Sequence, residues 1–423
     1  MNSRITDFYK QAPSDRLDTI VERTDLSAEA RDALANVGLS LGDADNVSEN
    51  VVGTIEYPLS VATNFVIDGE DTLVPMAIEE TSVVAAASYG ALMARDTGGF
   101  ETSVSGPIML SQIQALDVAD PHAAKVKILN EKDNLVELAN EQDPVLVEHG
   151  GGCEDIDVRI IDTPRGQMVV TQLVVDVRDA MGGNAVNTMA EALAPAIERL
   201  TGGDVSLRIL SNLADRRLAR ARCRLDPAVL ASDDTDLTGE EVRDRIVDAW
   251  AFAAGDPYRA ATHNKGIMNG IDAVATATFN DWRAIEAGAH AYAAQGGYGP
   301  LTNYEIDDEG FLACSIEIPM QVGTIGGATS LHPTAQASME LLAVDSADEL
   351  AGVMAAVGLA QNYAGLRALV SEGIQAGHMS LHAKNIAIQA DVPQALVDEV
   401  AAQMVAEDEI RQDRAEELAS ELK

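Results

Sequence analysis

Apolar and polar positions change period several times along this chain. In the first 45 residues Ser14–Arg23 and Ser27–Asn36 carry the spacing of short amphipathic helices. The segment from Glu49 to Pro58 then leads into an extended run to Val66, and Gly69 and Asp71 mark a turn. The alanine-rich Val83–Arg95 predicts a well-buried helix with Thr81 or Ser82 as its N-cap. From about Ser105 to Leu213 the texture alternates. Lys125–Leu129, Ile156–Ile161, Gln167–Val177 and Val205–Leu210 are strand-like, whereas Asn130–Glu141 and Ala185–Leu200 are helical. Such β/α alternation predicts a compact domain inserted in a larger one. Pro227–Ala294 is mainly helical, Glu305–Gln321 reads as two strands around the turn Asp307–Gly310, and Ser338–Glu372 is helical again. Beyond Gly373–Gly377 a charged tail of about fifty residues is expected to form a mobile helical appendage.

Composition adds two constraints. The 423 residues suffice for two or three domains, and with 47% hydrophobic but only 4% aromatic residues the core must be built from small and aliphatic side chains. A net charge of −39, spread along the chain, repels nucleic acid and anionic membrane surfaces. Abundant Asp, Glu and Ala with scarce Lys is a halophile-like composition, in which salt screens the self-repulsion. Cys153, Cys223 and Cys314 form no CxxC pair and are expected to be buried small hydrophobes. The N-terminus shows no basic-then-apolar leader, and apolar runs such as Val83–Ala87 fall far short of a membrane span, so a cytoplasmic protein is expected.

Candidate chemistry starts with one lysine. Of the 29 Lys+Arg only seven are lysines, and between Asp133 and Ala383 Lys265 stands alone, inside His263-Asn264-Lys265-Gly266-Ile267-Met268-Asn269-Gly270. Lysine is a compact point charge and arginine a planar fork, so a lone lysine among Gly and Asn either does chemistry that needs an ammonium or is a chance surface residue. No G-x-G-x-x-G follows a strand and no P-loop is present. Asp179-Ala180-Met181-Gly182-Gly183-Asn184 follows a predicted strand and opens a helix, a place where free N–H groups meet a pyrophosphate. Glu80, ahead of a helix and beside Glu79, is either a solvated carboxylate or a proton donor. Asp281 is open to a salt bridge with an arginine. His378 and His382 have metal-compatible spacing but no evident third ligand, so no metal is expected.

Together these segments resemble class II 3-hydroxy-3-methylglutaryl-coenzyme A (HMG-CoA) reductases, in order and over almost the whole chain. Glu49-Asn50-Val51-Val52-Gly53 is similar to the family's ENVxG segment. Pro75–Ser82 resembles its catalytic glutamate segment, with Thr81 where proline is expected. Asp179–Asn187 resembles its dinucleotide-binding stretch, His263–Gly270 its lysine segment, Asn280-Asp281-Trp282-Arg283-Ala284 its aspartate segment and Gly377–His382 its histidine segment.

The resemblance implies an α+β fold. A large, mainly helical substrate-binding domain (1–106 and 214–373) would carry an inserted ferredoxin-like α/β nucleotide-binding domain (107–213) and a C-terminal helical flap (374–423). It implies a homodimer, or higher assembly, with active sites between subunits. The reaction would interconvert HMG-CoA with mevalonate and coenzyme A through two hydride transfers. Lys265 would stabilise the carbonyl oxyanion. Asp281 would hold it charged, Glu80 would act as general acid, and His378 would protonate the leaving thiolate. Ser82, Arg259 and Asn269 would contact the substrate's carboxylate and hydroxyl. Asp179, Met181, Gly182, Asn184 and Asn212 would contact the nucleotide. Asp143 would face the adenosine ribose, where a carboxylate accepts from a 2′-hydroxyl and repels a 2′-phosphate, favouring NAD(H) over NADP(H). The alternatives are an NADPH-dependent enzyme making mevalonate for isoprenoids and, in another class, a non-catalytic acyl-CoA-binding protein on the same fold.

Overall fold

The computed structural model describes residues 1–36, 38–231, 235–371, 373, 383–407 and 409–422. Three short helices, α1 (Pro13–Arg23), α2 (Ala28–Ala35) and α3 (Leu41–Val47), open the chain. Serines start two of them: Ser27 and Ser40 accept from the N–H groups of Ala30 and Asp43. Strands β1 (Leu59–Ile67) and β2 (Glu70–Ala77) form an antiparallel hairpin, followed by α4 (Val83–Arg95) and β3 (Glu101–Val104).

The middle of the chain runs β4 (Ile108–Leu116), α5 (Pro121–Asn130), α6 (Lys132–Asn140), α7 (Pro144–Glu148), β5 (Gly152–Thr163), β6 (Gly166–Asp176), α8 (Gly183–Thr201) and β7 (Asp204–Ser211). Its four strands pair antiparallel in the order β5-β6-β4-β7, the ferredoxin-like arrangement. Alternate strand residues such as Met109, Ile113, Leu173 and Val175 share a core with Ile128, Leu135, Met189 and Leu193 of the helices.

The chain then returns through β8 (Leu218–Leu225), α9 (Pro227–Leu230), α10 (Gly239–Gly255), α11 (Pro257–Ala277), α12 (Trp282–Ala293), β9 (Thr302–Ile306), β10 (Leu312–Pro319), α13 (Pro333–Leu342) and α14 (Ala347–Val370). A second antiparallel sheet, in the order β3-β8-β10-β9, packs against α14. Helix α14 is buried on every side, with α4 and α11 against it. Small residues permit this: a Cβ on Gly90 would lie 2.5 Å from the Ala360 oxygen, and one on Gly358 would lie 2.8 Å from Ile271. The low aromatic content thus becomes close helix packing. A further, separate cluster joins Ala383 and Ala387 to the helices Val397–Ala406 and Gln412–Glu421.

Three local expectations change. Lys125–Leu129 is helix, because Asp120 accepts from the N–H of Ala123 and Pro121 sits at the first helical position. The turn expected at Gly69 and Asp71 is tighter, since β2 already starts at Glu70 and pairs Asp71 with Val66, and the two-stranded hairpin tolerates Pro75. Ser82 occupies the N-cap position of α4, but its φ of 72° keeps its hydroxyl off the helix N–H groups. All three cysteines are free and buried. Among the described residues no helix is long and apolar enough to cross a membrane.

Candidate active site

Helix α11 presents the lysine. Asp256 starts it by accepting from the N–H groups of Tyr258 and Arg259, with Pro257 at the first position. One face (Ala260, His263, Asn264, Ile267, Ile271) is buried; Arg259, Thr262, Lys265 and Asn269, three or four residues apart, line the outer face. Lys265 Nζ reaches Glu80 Oε2 at 2.8 Å, with 59% of the lysine side chain and 42% of the glutamate side chain exposed. Glu80 comes from the bend between β2 and α4, so residues 185 positions apart meet at an accessible surface.

Three further side chains are available around this pair. The left-handed backbone at Ser82 costs roughly 1 kcal/mol, and no described bond occupies its hydroxyl. Arg259 is half-buried with no described side-chain partner, and burial pulls its guanidinium below the usual arginine value. Asn269 is half-buried and also without a described side-chain partner. A half-desolvated guanidinium without a counter-charge is suited to a carboxylate ligand. His263 does different work: burial, seconded by the charge of Arg259, pushes it down to about 3, so it stays neutral and bonds Thr302 Oγ1 at 2.6 Å.

Asp281 behaves within one chain as the plainer reading expects. It caps α12 by accepting from the N–H groups of Arg283 and Ala284, and pairs with the Arg283 guanidinium at 3.1 Å. No bond from it to Lys265 is found among the described residues. His378 and His382 lie outside the described residues. No cluster of three metal-ligating side chains occurs among the described residues.

The Asp179–Asn184 loop joins β6 to α8. Gly182 has a φ of 89°, and a Cβ there would come within 2.4 Å of Val177. Among the described residues no side chain caps α8 and none takes its first N–H groups, which fits a dinucleotide pyrophosphate. Asn184 is exposed beside them, Met181 is half-buried, and the Asn212 side chain is exposed at the end of β7. Asp179 points elsewhere: its carboxylate accepts from the Ala347 N–H at the start of α14, and its C=O accepts from Thr324. Asp143 caps α7 through one oxygen, accepting from the N–H of Leu146.

Sequence reasoning missed Arg217. Buried against this loop, it donates to the carbonyls of Ala180, Met181 and Val322, and burial lowers it to about 10. It thereby fixes the loop's backbone. The arginine-rich run around it, Arg216 to Arg224, hid it; only the alternation of β8 carried one residue back, which puts Arg217 on the side of Ala219, Ala221 and Cys223, separates it from Arg220, Arg222 and Arg224.

Residues 12–383 match the family described as hydroxymethylglutaryl-coenzyme A reductase. The chain is 56% identical over 423 residues to a 3-hydroxy-3-methylglutaryl-coenzyme A reductase of Archaeoglobus fulgidus, covering 100% of this chain and 95% of that one. A probable reductase of Borreliella burgdorferi is 35% identical over 345 residues, 81% of this chain and 77% of that one. A solved reductase from Streptococcus pneumoniae superposes with a TM-score of 0.84 at 41% identity over 99% of each chain. A class II enzyme from the same bacterium, bound to NADPH in open conformations, gives a TM-score of 0.83 at 42% identity, covering 86% of this chain and 99% of that one.

Proposed function

Because this chain belongs to the hydroxymethylglutaryl-coenzyme A reductase family, and is therefore an NAD(P)-dependent oxidoreductase acting on HMG-CoA, we propose that it works through Lys265 and Glu80 with NADH as its preferred cofactor. The observation that carries this reading is the 2.8 Å contact between the Lys265 ammonium and the Glu80 carboxylate, open to solvent on the outer face of α11 that also carries Arg259. When bound, the nicotinamide supplies or accepts the hydride. The chain's own residues handle charge and protons. Lys265 aims a compact positive charge at the carbonyl oxygen, where negative charge grows as the carbon is reduced. Glu80, within hydrogen-bond reach of that ammonium, acts as general acid toward the same oxygen once it has itself taken up a proton from solvent. Arg259 pairs with the substrate carboxylate, and Ser82 and Asn269 bond its polar oxygens. His378 protonates the departing thiolate.

Asp281 is engaged with Arg283 inside its own chain, which is compatible with service to a site assembled between two subunits. We therefore read the working form as a homodimer in the cytoplasm of a salt-adapted cell. Its three units are 107–213 for the nucleotide, 1–106 with 214–373 for the acyl-CoA, and 374–423 as the flap. The pyrophosphate would sit at the uncapped start of α8, fixed by Arg217 through the loop. The preference for NADH rests on Asp143, whose uncapped oxygen would accept from a ribose 2′-hydroxyl and repel a 2′-phosphate. The second reading, NADPH, is favoured by the pneumococcal relative solved with NADPH bound. Initial rates with HMG-CoA and each cofactor at matched concentration, in concentrated KCl, decide between them. Our reading expects a higher kcat/KM with NADH, and equal or reversed values would refute the Asp143 assignment.

A further inference from the structure

A closed ring of polar contacts ties the lysine helix to its neighbour. Asn264, immediately before Lys265, is fully buried. Its amide donates to Tyr298 Oη at 3.2 Å and to the Gly299 C=O at 2.9 Å, and its Oδ1 accepts from the Leu301 N–H at 3.0 Å. Tyr298 Oη lies 2.8 Å from His290 Nδ1, with the two rings stacked at 6.0 Å. His290 Nε2 lies 2.8 Å from Glu286 Oε2. Glu286 in turn bonds the Asp272 carboxyl, which is back on α11, two helical turns beyond Lys265 and on the same face. The ring thus leaves α11 at Asn264, crosses to α12 through Tyr298, and returns at Asp272.

The protonation pattern can satisfy each contact around the ring, while Asp272 Oδ1 is buried without a partner among the described residues. Burial, reinforced by Glu286, pushes Asp272 up to about 8, so at neutral pH it keeps its proton and can donate to the Glu286 carboxylate. With Nε2–H toward Glu286, the His290 ring can accept at Nδ1 from the Tyr298 hydroxyl. That leaves the Tyr298 oxygen to accept from Asn264.

We infer that Tyr298 and His290 are positioning residues for Lys265: the ring locks the antiparallel α11–α12 hairpin and so fixes where the ammonium stands. Apolar packing alone lets helices slide by fractions of an ångström, whereas linked hydrogen bonds are directional and set a single register. Oxyanion stabilisation depends on such placement, and a displacement of about 1 Å can cost up to about a hundredfold. The opposite side of α12 is held as well, since Gln321 Nε2 donates to the carbonyls of Ala284 (2.7 Å) and Asn212 (3.0 Å). The hairpin is therefore clamped between the lysine and the end of β7. This inference rests on the oxyanion role proposed for Lys265.

The test compares Tyr298→Phe, His290→Ala, His290→Gln and Lys265→Ala in the full-length chain, with kcat, KM for HMG-CoA and thermal melting measured for each. Tyr298→Phe removes one oxygen and keeps the stacked ring, so it folds. We expect Tyr298→Phe and His290→Ala to lose about tenfold in kcat with KM changed less than about twofold. His290→Gln, whose amide can still donate to Glu286 and accept from Tyr298, should recover most of that loss. If Tyr298→Phe and His290→Ala keep kcat within about twofold of wild type while Lys265→Ala is inactive, the positioning role is overturned and the lysine assignment stands. If Lys265→Ala turns over at the wild-type rate, both fall. A loss that His290→Gln does not relieve would also overturn the positioning role.

Discussion

Glu80 and Lys265 form an ion pair whose side chains are roughly half exposed, and an exposed pair adds little to stability. Its placement, on a bend whose next residues include the left-handed Ser82, is better explained by chemistry than by folding. Glu80→Gln should therefore leave Tm within about 2 °C of wild type and lower kcat by about 10²–10⁴-fold. Melting curves and steady-state rates on one preparation check both halves, and a Tm loss matching the activity loss would reassign the pair to folding. Lys265 was legible because it is an isolated ammonium in a lysine-poor chain, and Glu80 because its segment resembles a known one. Their sharing one site was legible only through the family resemblance, which linked them by way of Asp281; the direct 2.8 Å contact was not, since nothing local joins positions so far apart. Asp281 shows the reverse: within one chain it takes the plainer of its two sequence readings, the salt bridge with Arg283.

Helix caps explain what was readable in the elements and what was not. Ser27 and the alanine run of Val83–Arg95 mark their helices, whereas the Asp120-Pro121 start is easily lost beside the apolar run of α5, which reads locally as strand. The α11–α12 hairpin was visible only as helical texture, because its ring joins Asn264, Asp272, Glu286, His290 and Tyr298 by tertiary contact. That ring makes stability depend on pH. Asp272 has a folded value of about 8 against an ordinary 3.8, so between those limits the folded state holds the extra proton. Its contribution is fully present below about 4 and is lost as pH rises through about 8. Asp272→Asn, which keeps a donor toward Glu286 without titrating, should gain stability relative to wild type as pH rises from about 5 to about 9. Denaturant unfolding at both ends checks this, and a constant difference would show that Asp272 is ionised in the fold.

On the scale of the whole molecule, a net charge of −39 makes the fold self-repelling, and separate hydrophobic clusters must hold against it. Salt shortens the reach of that repulsion to about 3 Å at 1 M. Tm should rise steadily as KCl is raised from about 0.1 M to about 2 M, and a flat response in differential scanning fluorimetry would remove the case for salt adaptation. The inserted unit was legible as β/α alternation, and its ferredoxin-like topology only through the family resemblance. The close packing of α4, α11 and α14 was foreshadowed only by alanine, glycine and scarce aromatics. The proposed catalysis as a whole depends on one ammonium neutralising charge on a carbonyl oxygen. The direct test is the turnover of Lys265→Ala with saturating HMG-CoA and NADH in concentrated KCl. A fall in kcat of about 10²–10³-fold with Tm preserved is the predicted result; turnover within about threefold of wild type would contradict it.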